Sequence, residues 1–340
     1  MIPEDIEKAY GTVSKIVRRT ALWHASKLSE IYGCNVFLKR EDRLKVRSYK
    51  IRGAYNKICS LAPGILEGGV VCASAGNHAQ GVALSCSKKG IKGYIFMPEN
   101  TPQQKIDSVR YFGKDNVEIC LVGETFDDAA AAAKEFCSSK GLAFIPPFDD
   151  PDVIAGQGTV GLELLEQFED RGICPDYVFV PIGGGGLASG VGTYVKGRSP
   201  QTKVIGVEPQ GAASMKAALA AGGPVTLETM DTFVDGAAVR RAGDITYQIC
   251  SNVLDDIVTV PEGAVCTTML EMYNRSGIVL EPAGALSVAA LRFCTDMIRG
   301  KNVCCILSGS NNDVVRIVDI QKRSQEYEKS IIAPLSGGSV

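Results

Sequence analysis

The chain has 340 residues, 45% of them hydrophobic and 22% charged, with a formal net charge of −2. That length favours two lobes over a single core, and the near-neutral balance gives no electrostatic footprint for nucleic acid. No apolar run approaches the roughly 18 residues of a membrane span, and the acidic start MIPEDIEKAY lacks the charged and apolar regions of a secretory signal.

In chain order, an N-terminal helical region is expected to include His24, after which strands alternate with helices. GGVVCAS reads as a short apolar strand, followed by the helix NHAQGVALSCSKKG, which Asn77 can cap. KGYIFMP is a strand before the helical PQQKIDSVRYFG, and NVEICLVG is a strand before TFDDAAAAAKEFCSSKG, where Thr125 and Asp128 form a capping-box pattern. AFIPPF leads into a helix near 155–170, DYVFVPI precedes the helical GGGGLASGVGTYVKG, and KVIGVEP precedes a helix around 213–221. The strands DDIVTVP and NVCCILSGS close the series, with helices near 262–275 and 283–298 between them. Strands separated by such helices predict βαβ units on mostly parallel sheets, an α/β fold. The segment from about Gln321 reads as a frayed tail.

Twelve cysteines are scattered through apolar stretches without a C-x-x-C pair, which suits small buried hydrophobes in a reducing compartment and predicts a cytoplasmic location. With only His24 and His78 as histidines, zinc spacings and most Ser-His-Asp or Cys-His schemes are missing.

Two stretches carry candidate chemistry. In RSYKIRGAY, Lys50 stands among Tyr49, Ile51, Arg47 and Arg52, where desolvation and neighbouring cations would lower its pKa. Read by itself, the stretch fits better a solvated helix start in which Ser48 caps and Lys50 points to water. In PIGGGGLASG, four consecutive glycines stand between a strand and a helix, a cradle of backbone N–H groups at a positive helix end that suits phosphate. The absent G-K-[ST] excludes a triphosphate P-loop. Gly183, Gly185 and Ala188 also fit G-x-G-x-x-A, and Glu208 ends the next strand, so a nicotinamide-dependent oxidoreductase stays open on these residues. A phosphate cradle together with an activated lysine is the combination pyridoxal 5′-phosphate requires.

The stretches LKRED, RSYKIRGAY, ASAGNHAQG, PPFDDPDVIAGQGT, VPIGGGGLASGV, VIGVEP, FVDGAAV, LEPAGAL and LSGSNND occur in order along nearly the whole chain. On these motifs it resembles the type II fold family of pyridoxal-phosphate enzymes, and within it the threonine dehydratases, with serine racemases and serine dehydratases as relatives. The resemblance implies a two-lobed fold like that of the tryptophan synthase β chain, with residues 1–68 and 147–325 as the large cofactor-binding domain, 69–146 as the small domain and 326–340 as a tail. It implies pyridoxal-phosphate-dependent β-elimination from L-threonine to 2-oxobutanoate and ammonia, with L-serine to pyruvate as the weaker activity. A serine dehydratase or serine racemase, or a non-catalytic pyridoxal-phosphate-binding protein, is the alternative. Homodimers or homotetramers are the expected assembly.

Carried over residue by residue, the resemblance makes Lys50 and Ser74 catalytic, with Lys50 the lysine that holds the cofactor. Tyr49, Asn77, Gly183, Gly184, Gly185, Gly186, Leu187, Gly236, Glu281 and Ser308 are the other cofactor-binding residues. Ser74, Ala75, Gly76, Asn77, His78 and Phe148 are the substrate-binding ones, His78 with a structural role. Relatives that racemise serine have a second serine where this chain has Ala75, which has no proton to move. Their divalent-cation site keeps Glu208 here but has Ser214 in place of a carboxylate, too few hard oxygens for such an ion, so no metal is expected.

Overall fold

The computed structural model describes residues 1–332. Ten strands form two sheets, β1 (Leu22–His24), β2 (Asn35–Lys39), β3 (Val70–Ala73), β4 (Gly93–Met97), β5 (Val117–Leu121), β6 (Ala143–Phe144), β7 (Tyr177–Pro181), β8 (Lys203–Pro209), β9 (Asp256–Val260) and β10 (Asn302–Ile306). The six-stranded sheet has the order β1-β2-β10-β7-β8-β9, and the four-stranded sheet β5-β4-β3-β6. Every pairing is parallel except β1 with β2. Val70–Ala73 is buried throughout, as a central parallel strand covered on both faces must be. The fold is α/β, with parallel sheets flanked by helices, and no helix among the described residues is long and apolar enough to cross a membrane.

The four-stranded sheet takes all its strands from residues 70–144, while the six-stranded sheet draws on both sides of that stretch. Each sheet has its own apolar core, one around Val70, Cys72, Ile95 and Met97, the other around Phe179, Ile205, Val207 and Cys305. The helices Lys50–Ser60, Pro151–Glu169 and Gly186–Arg198 pack through glycines. A β-carbon at Gly156 would lie 2.6 Å from the Arg52 carbonyl oxygen, and one at Gly158 3.0 Å from that of Gly190, so glycine lets these backbones meet.

Beneath the Lys50 helix lies a dry charge cluster. Lys39, Glu41, Arg52 and Glu163 are all 0% exposed. Arg52 bonds Glu41 through Nε at 2.8 Å and Glu163 through Nη1 at 2.8 Å, and Lys39 reaches Glu163 at 2.6 Å. Two cations and two anions thereby tie β2, the Lys50 helix and the Pro151–Glu169 helix together with no net buried charge.

Three expectations need correction. His24 lies in β1, antiparallel to β2 and with its ring 5.1 Å from that of Phe37, not in a helix. The stretch 283–298 is no single helix but Pro282–Ala289, a 3₁₀ turn Ala290–Phe293 and a short helix Thr295–Ile298. Nor does the chain fray from Gln321: the helix Ile317–Ile332 continues, with Ser324 hydrogen-bonded to Thr267 at 2.7 Å. The rest of that expected tail, 333–340, lies outside the described residues.

Candidate active site

The loops that follow β3, β7 and β10 bring most of the expected residues together, as ligand sites in parallel sheets require. Lys50 is the first residue of its helix and half-buried. Its Nζ donates a 2.7 Å hydrogen bond to the carbonyl of Pro147 and lies 5.5 Å from the centre of the Tyr49 ring. Desolvation lowers its pKa from 10.5 to about 8, against the opposing pull of Glu281. The cationic field expected from Arg47 and Arg52 is not the cause. Arg47 is exposed, and the guanidinium of Arg52 is fully engaged by Glu41 and Glu163.

The glycine run sits where β7 meets the helix Gly186–Arg198. Gly185 caps that helix with φ of 95°, a left-handed conformation that favours glycine. A β-carbon at Gly184 would run into the Phe148 ring, and one at Gly186 would come within 3.0 Å of the Phe148 β-carbon. Phe148 therefore lies over the loop, and its chain neighbour Pro147 receives the Lys50 amine. Leu187 is buried behind the loop.

A polar cluster forms around Asn77. Asn77 Nδ2 donates to Glu281 Oε1 at 2.7 Å, while Asn77 Oδ1 accepts from Asn311 Nδ2 at 2.7 Å. The Asn311 backbone N–H donates to Glu281 Oε2 at 3.2 Å. Against the expectation from the sequence, Asn77 does not cap the helix Asn77–Lys89; Gly76 occupies the cap without a side-chain hydrogen bond, and the Asn77 amide serves this cluster instead. Burial and the nearby Asp235 push the Glu281 carboxyl up to about 7, against the hydrogen bonds from Asn77 and Asn311. A β-carbon on Gly236 would come 3.7 Å from Glu281 Oε1, so these two expected residues are neighbours. Ser308 is buried, its hydroxyl donating to the Ala283 carbonyl at 3.2 Å and its own carbonyl accepting from the Tyr49 N–H at 3.2 Å.

The loop Ser74, Ala75, Gly76 follows β3, with Asn77 and His78 opening the helix. Ser74 Oγ accepts from the Gly76 N–H at 3.2 Å, which holds the turn. His78 is buried, Nε2 donating to the Ile145 carbonyl at 2.9 Å. Desolvation and Lys50 lower its pKa to about 3, so the ring stays neutral.

Glu208 stands apart. It is fully buried at the end of β8, accepting from the N–H groups of Met215 at 2.8 Å and Lys216 at 2.9 Å. Its carboxylate caps the helix Ser214–Ala221 and does not offer itself to a ribose, which removes the observation that kept a dinucleotide site open. Sequence reasoning missed Asn311 and Pro147. Both stand inside motifs singled out above, but Asn311 acts on a partner 234 positions away and Pro147 acts through its backbone.

These residues fit pyridoxal phosphate in donor chemistry. A weakly basic amine suits an aldehyde and a side-chain-free loop at a helix N-terminus suits a phosphate, while the Asn77 amide and the Ser308 hydroxyl are the kinds of group that would meet a polar ring.

Residues 13–309 match the family described as pyridoxal-phosphate dependent enzyme. The L-threonine dehydratase biosynthetic IlvA of Halalkalibacterium halodurans is 54% identical over 325 residues, covering 96% of this chain and 78% of that protein. Its namesake in Bacillus subtilis is 53% identical over 323 residues, 95% of this chain and 76% of that one. Among solved structures, the processed form of threonine deaminase isoform 2 from Solanum lycopersicum superposes with a TM-score of 0.89 at 41% identity, covering 94% of this chain and 92% of that one. Maize serine racemase gives a TM-score of 0.86 at 30% identity, covering 96% and 98%.

Proposed function

Because the chain belongs to the family of pyridoxal-phosphate-dependent enzymes, we propose that its cleft eliminates water from L-threonine, giving 2-oxobutanoate and ammonia. L-serine, giving pyruvate, is the weaker substrate. The observation that carries this is the Lys50 amine, its pKa lowered to about 8, bonded to Pro147 beside Phe148, whose ring covers the glycine loop. The relatives named biosynthetic support a place in isoleucine formation.

Gly183, Gly184, Gly185, Gly186 and Leu187 would hold the cofactor phosphate, Lys50 its aldehyde carbon, and Tyr49, Asn77, Gly236, Glu281 and Ser308 its ring. Bound, pyridoxal phosphate supplies the electron sink that makes a substrate α-proton acidic. Once the substrate amine has taken its place on the aldehyde carbon, the freed Nζ of Lys50 would take that proton, its lowered pKa leaving much of it neutral near pH 8. Backbone N–H groups of the loop Ser74 to His78, at a helix N-terminus, hold the substrate carboxylate. Ser74 fixes the loop through its bond to Gly76. Ala75 carries a methyl where relatives that racemise serine have a second serine, which supports elimination over racemisation. The Phe148 side chain gives the γ-methyl of threonine an apolar neighbour.

Residues 69–146 form the small lobe in this proposal, closing on residues 1–68 and 147–325 to exclude water. Three exposed valines, Val314, Val315 and Val318 at 78%, 76% and 71%, support a homo-oligomer. The free cysteines support a reducing, cytoplasmic location. The test incubates purified protein with pyridoxal phosphate and either L-threonine or L-serine, and follows 2-oxo acid and ammonia. Equimolar 2-oxobutanoate and ammonia are expected; a faster reaction with serine would overturn the substrate assignment, and no 2-oxo acid would overturn the reaction.

A further inference from the structure

We infer that Asp149 is a positioning residue for the glycine loop, capping the helix Asp244–Val253 from 95 positions away so that Thr246 holds Gly184. The inference rests on the proposed function, in which that loop takes the cofactor phosphate.

The helix Asp244–Val253 has glycine, Gly243, at its N-cap and so has no cap side chain of its own for its first N–H groups. Asp149 supplies the acceptors. Its Oδ2 accepts from Asp244 N–H at 3.0 Å, and its Oδ1 from Ile245 and Thr246 N–H, each at 3.0 Å. A β-carbon at Gly243 would overlap that carboxylate, so glycine is the residue that admits the cap. A carboxylate at a helix N-terminus also gains from the helix dipole.

The capped turn faces the loop. Thr246 Oγ1 donates to the Gly184 carbonyl at 2.7 Å, and Ser189 Oγ donates back to the Thr246 carbonyl at 3.3 Å. In a trans peptide the C=O of Gly184 and the N–H of Gly185 point in opposite directions. Holding that carbonyl toward Thr246 therefore aims the Gly185 N–H away from the helix, as an anion-binding donor must be aimed. The residues just before Asp149 are Phe148, whose ring lies over Gly184, and Pro147, which receives Lys50. One carboxylate thus fixes the segment that touches both the lysine and the loop.

The test measures the dissociation constant of pyridoxal phosphate by titrating cofactor-free protein. Asp149→Ala and Thr246→Val are each expected to weaken binding by roughly tenfold. The double variant should bind no more weakly than the worse single one, because both act through the same contact. Asp149→Asn keeps one acceptor oxygen for Ile245 and Thr246 but turns an NH2 towards the Asp244 N–H, so its loss should fall between those of wild type and Asp149→Ala. The phosphorus resonance of the bound cofactor should shift in Asp149→Ala. Thr125→Ala, which removes the cap of the surface helix Phe126–Lys140, should leave affinity unchanged. If Asp149→Ala does not fold, Thr246→Val and Asp149→Asn decide the matter. Wild-type affinity in both single variants, or losses that add in the double, would overturn the inference alone. Wild-type protein that binds no pyridoxal phosphate would overturn it together with the proposed function.

Discussion

The amine of Lys50 donates to the carbonyl of Pro147, 97 positions along the chain, at 2.7 Å. A charged ammonium here has the Pro147 carbonyl as acceptor and little water, so the hydrogen bond holds the amine in place without restoring the solvation that burial removes. The low basicity of Lys50 comes from desolvation, and its position comes from Pro147.

The pH dependence of cofactor uptake should follow. Only the unprotonated amine attacks an aldehyde, and the pKa of Lys50 is lowered to about 8. In stopped-flow absorbance the uptake rate of cofactor-free protein should climb roughly tenfold per pH unit below that value and level off above it. A rate still climbing past pH 10 would mean a lysine of ordinary basicity.

Arg52→Ala should destabilise the chain by about 3–5 kcal/mol, because it leaves Glu41 and Glu163 buried with only Lys39 to balance them. Urea denaturation of the cofactor-free protein measures this directly. A loss under about 1 kcal/mol would show that water enters the cluster.

Burial raises the Glu208 pKa from 4.5 to about 7, against the N–H groups of Met215 and Lys216. A carboxyl whose folded-state pKa is raised contributes stability that is complete below its unfolded value and lost as pH rises through the folded one. The stability of cofactor-free protein should accordingly decline between pH 5 and 8, with Glu208 supplying on the order of 3 kcal/mol of the fall. Glu208→Gln should flatten that decline in melting curves, leaving the similar contribution of Glu281, whose carboxyl is also raised to about 7. An unchanged slope would mean that Glu208 keeps an ordinary carboxylate pKa.

Substrate choice should be moderate and reaction choice sharp. One methyl against an apolar wall such as Phe148 gives threonine an advantage over serine of roughly 10- to 200-fold in kcat/KM. With Ala75 offering no second base, chiral chromatography of a serine reaction should find pyruvate without D-serine. D-serine at a rate comparable to pyruvate would contradict the reading that Ala75 leaves the site without a second base.

Local signals made the βαβ alternation and the glycine run legible in the sequence. Four residues without side chains between an apolar strand and a helix have few structural meanings, and Thr125 with Asp128 do form their capping box. The strand Asn35–Lys39 carries a weaker signal, because it ends in the fully buried Lys39, whose acceptors on Thr20, Glu163 and Gln167 lie 19, 124 and 128 positions away. Arg52 looked like a cation for Lys50 because it stands two residues along; its partners Glu41 and Glu163 decide otherwise. The contacts of Asn311 with Asn77 and of Asp149 with the Asp244–Val253 helix span 234 and 95 or more positions, and composition carries no trace of them. The break at Ala290–Phe293 has no proline or glycine to announce it.

The most direct test of the whole account locates the cofactor on the chain. Protein loaded with pyridoxal phosphate is reduced with borohydride, which fixes the cofactor to the amine that holds it, then digested with trypsin and analysed by mass spectrometry. The pyridoxyl mass should appear on Lys50, in the peptide from Ser48 to Arg52 left uncut at the modified lysine, and Lys50→Ala should show neither the adduct nor 2-oxobutanoate formation. The adduct on another lysine, or a Lys50→Ala variant that keeps both cofactor and activity, would contradict it.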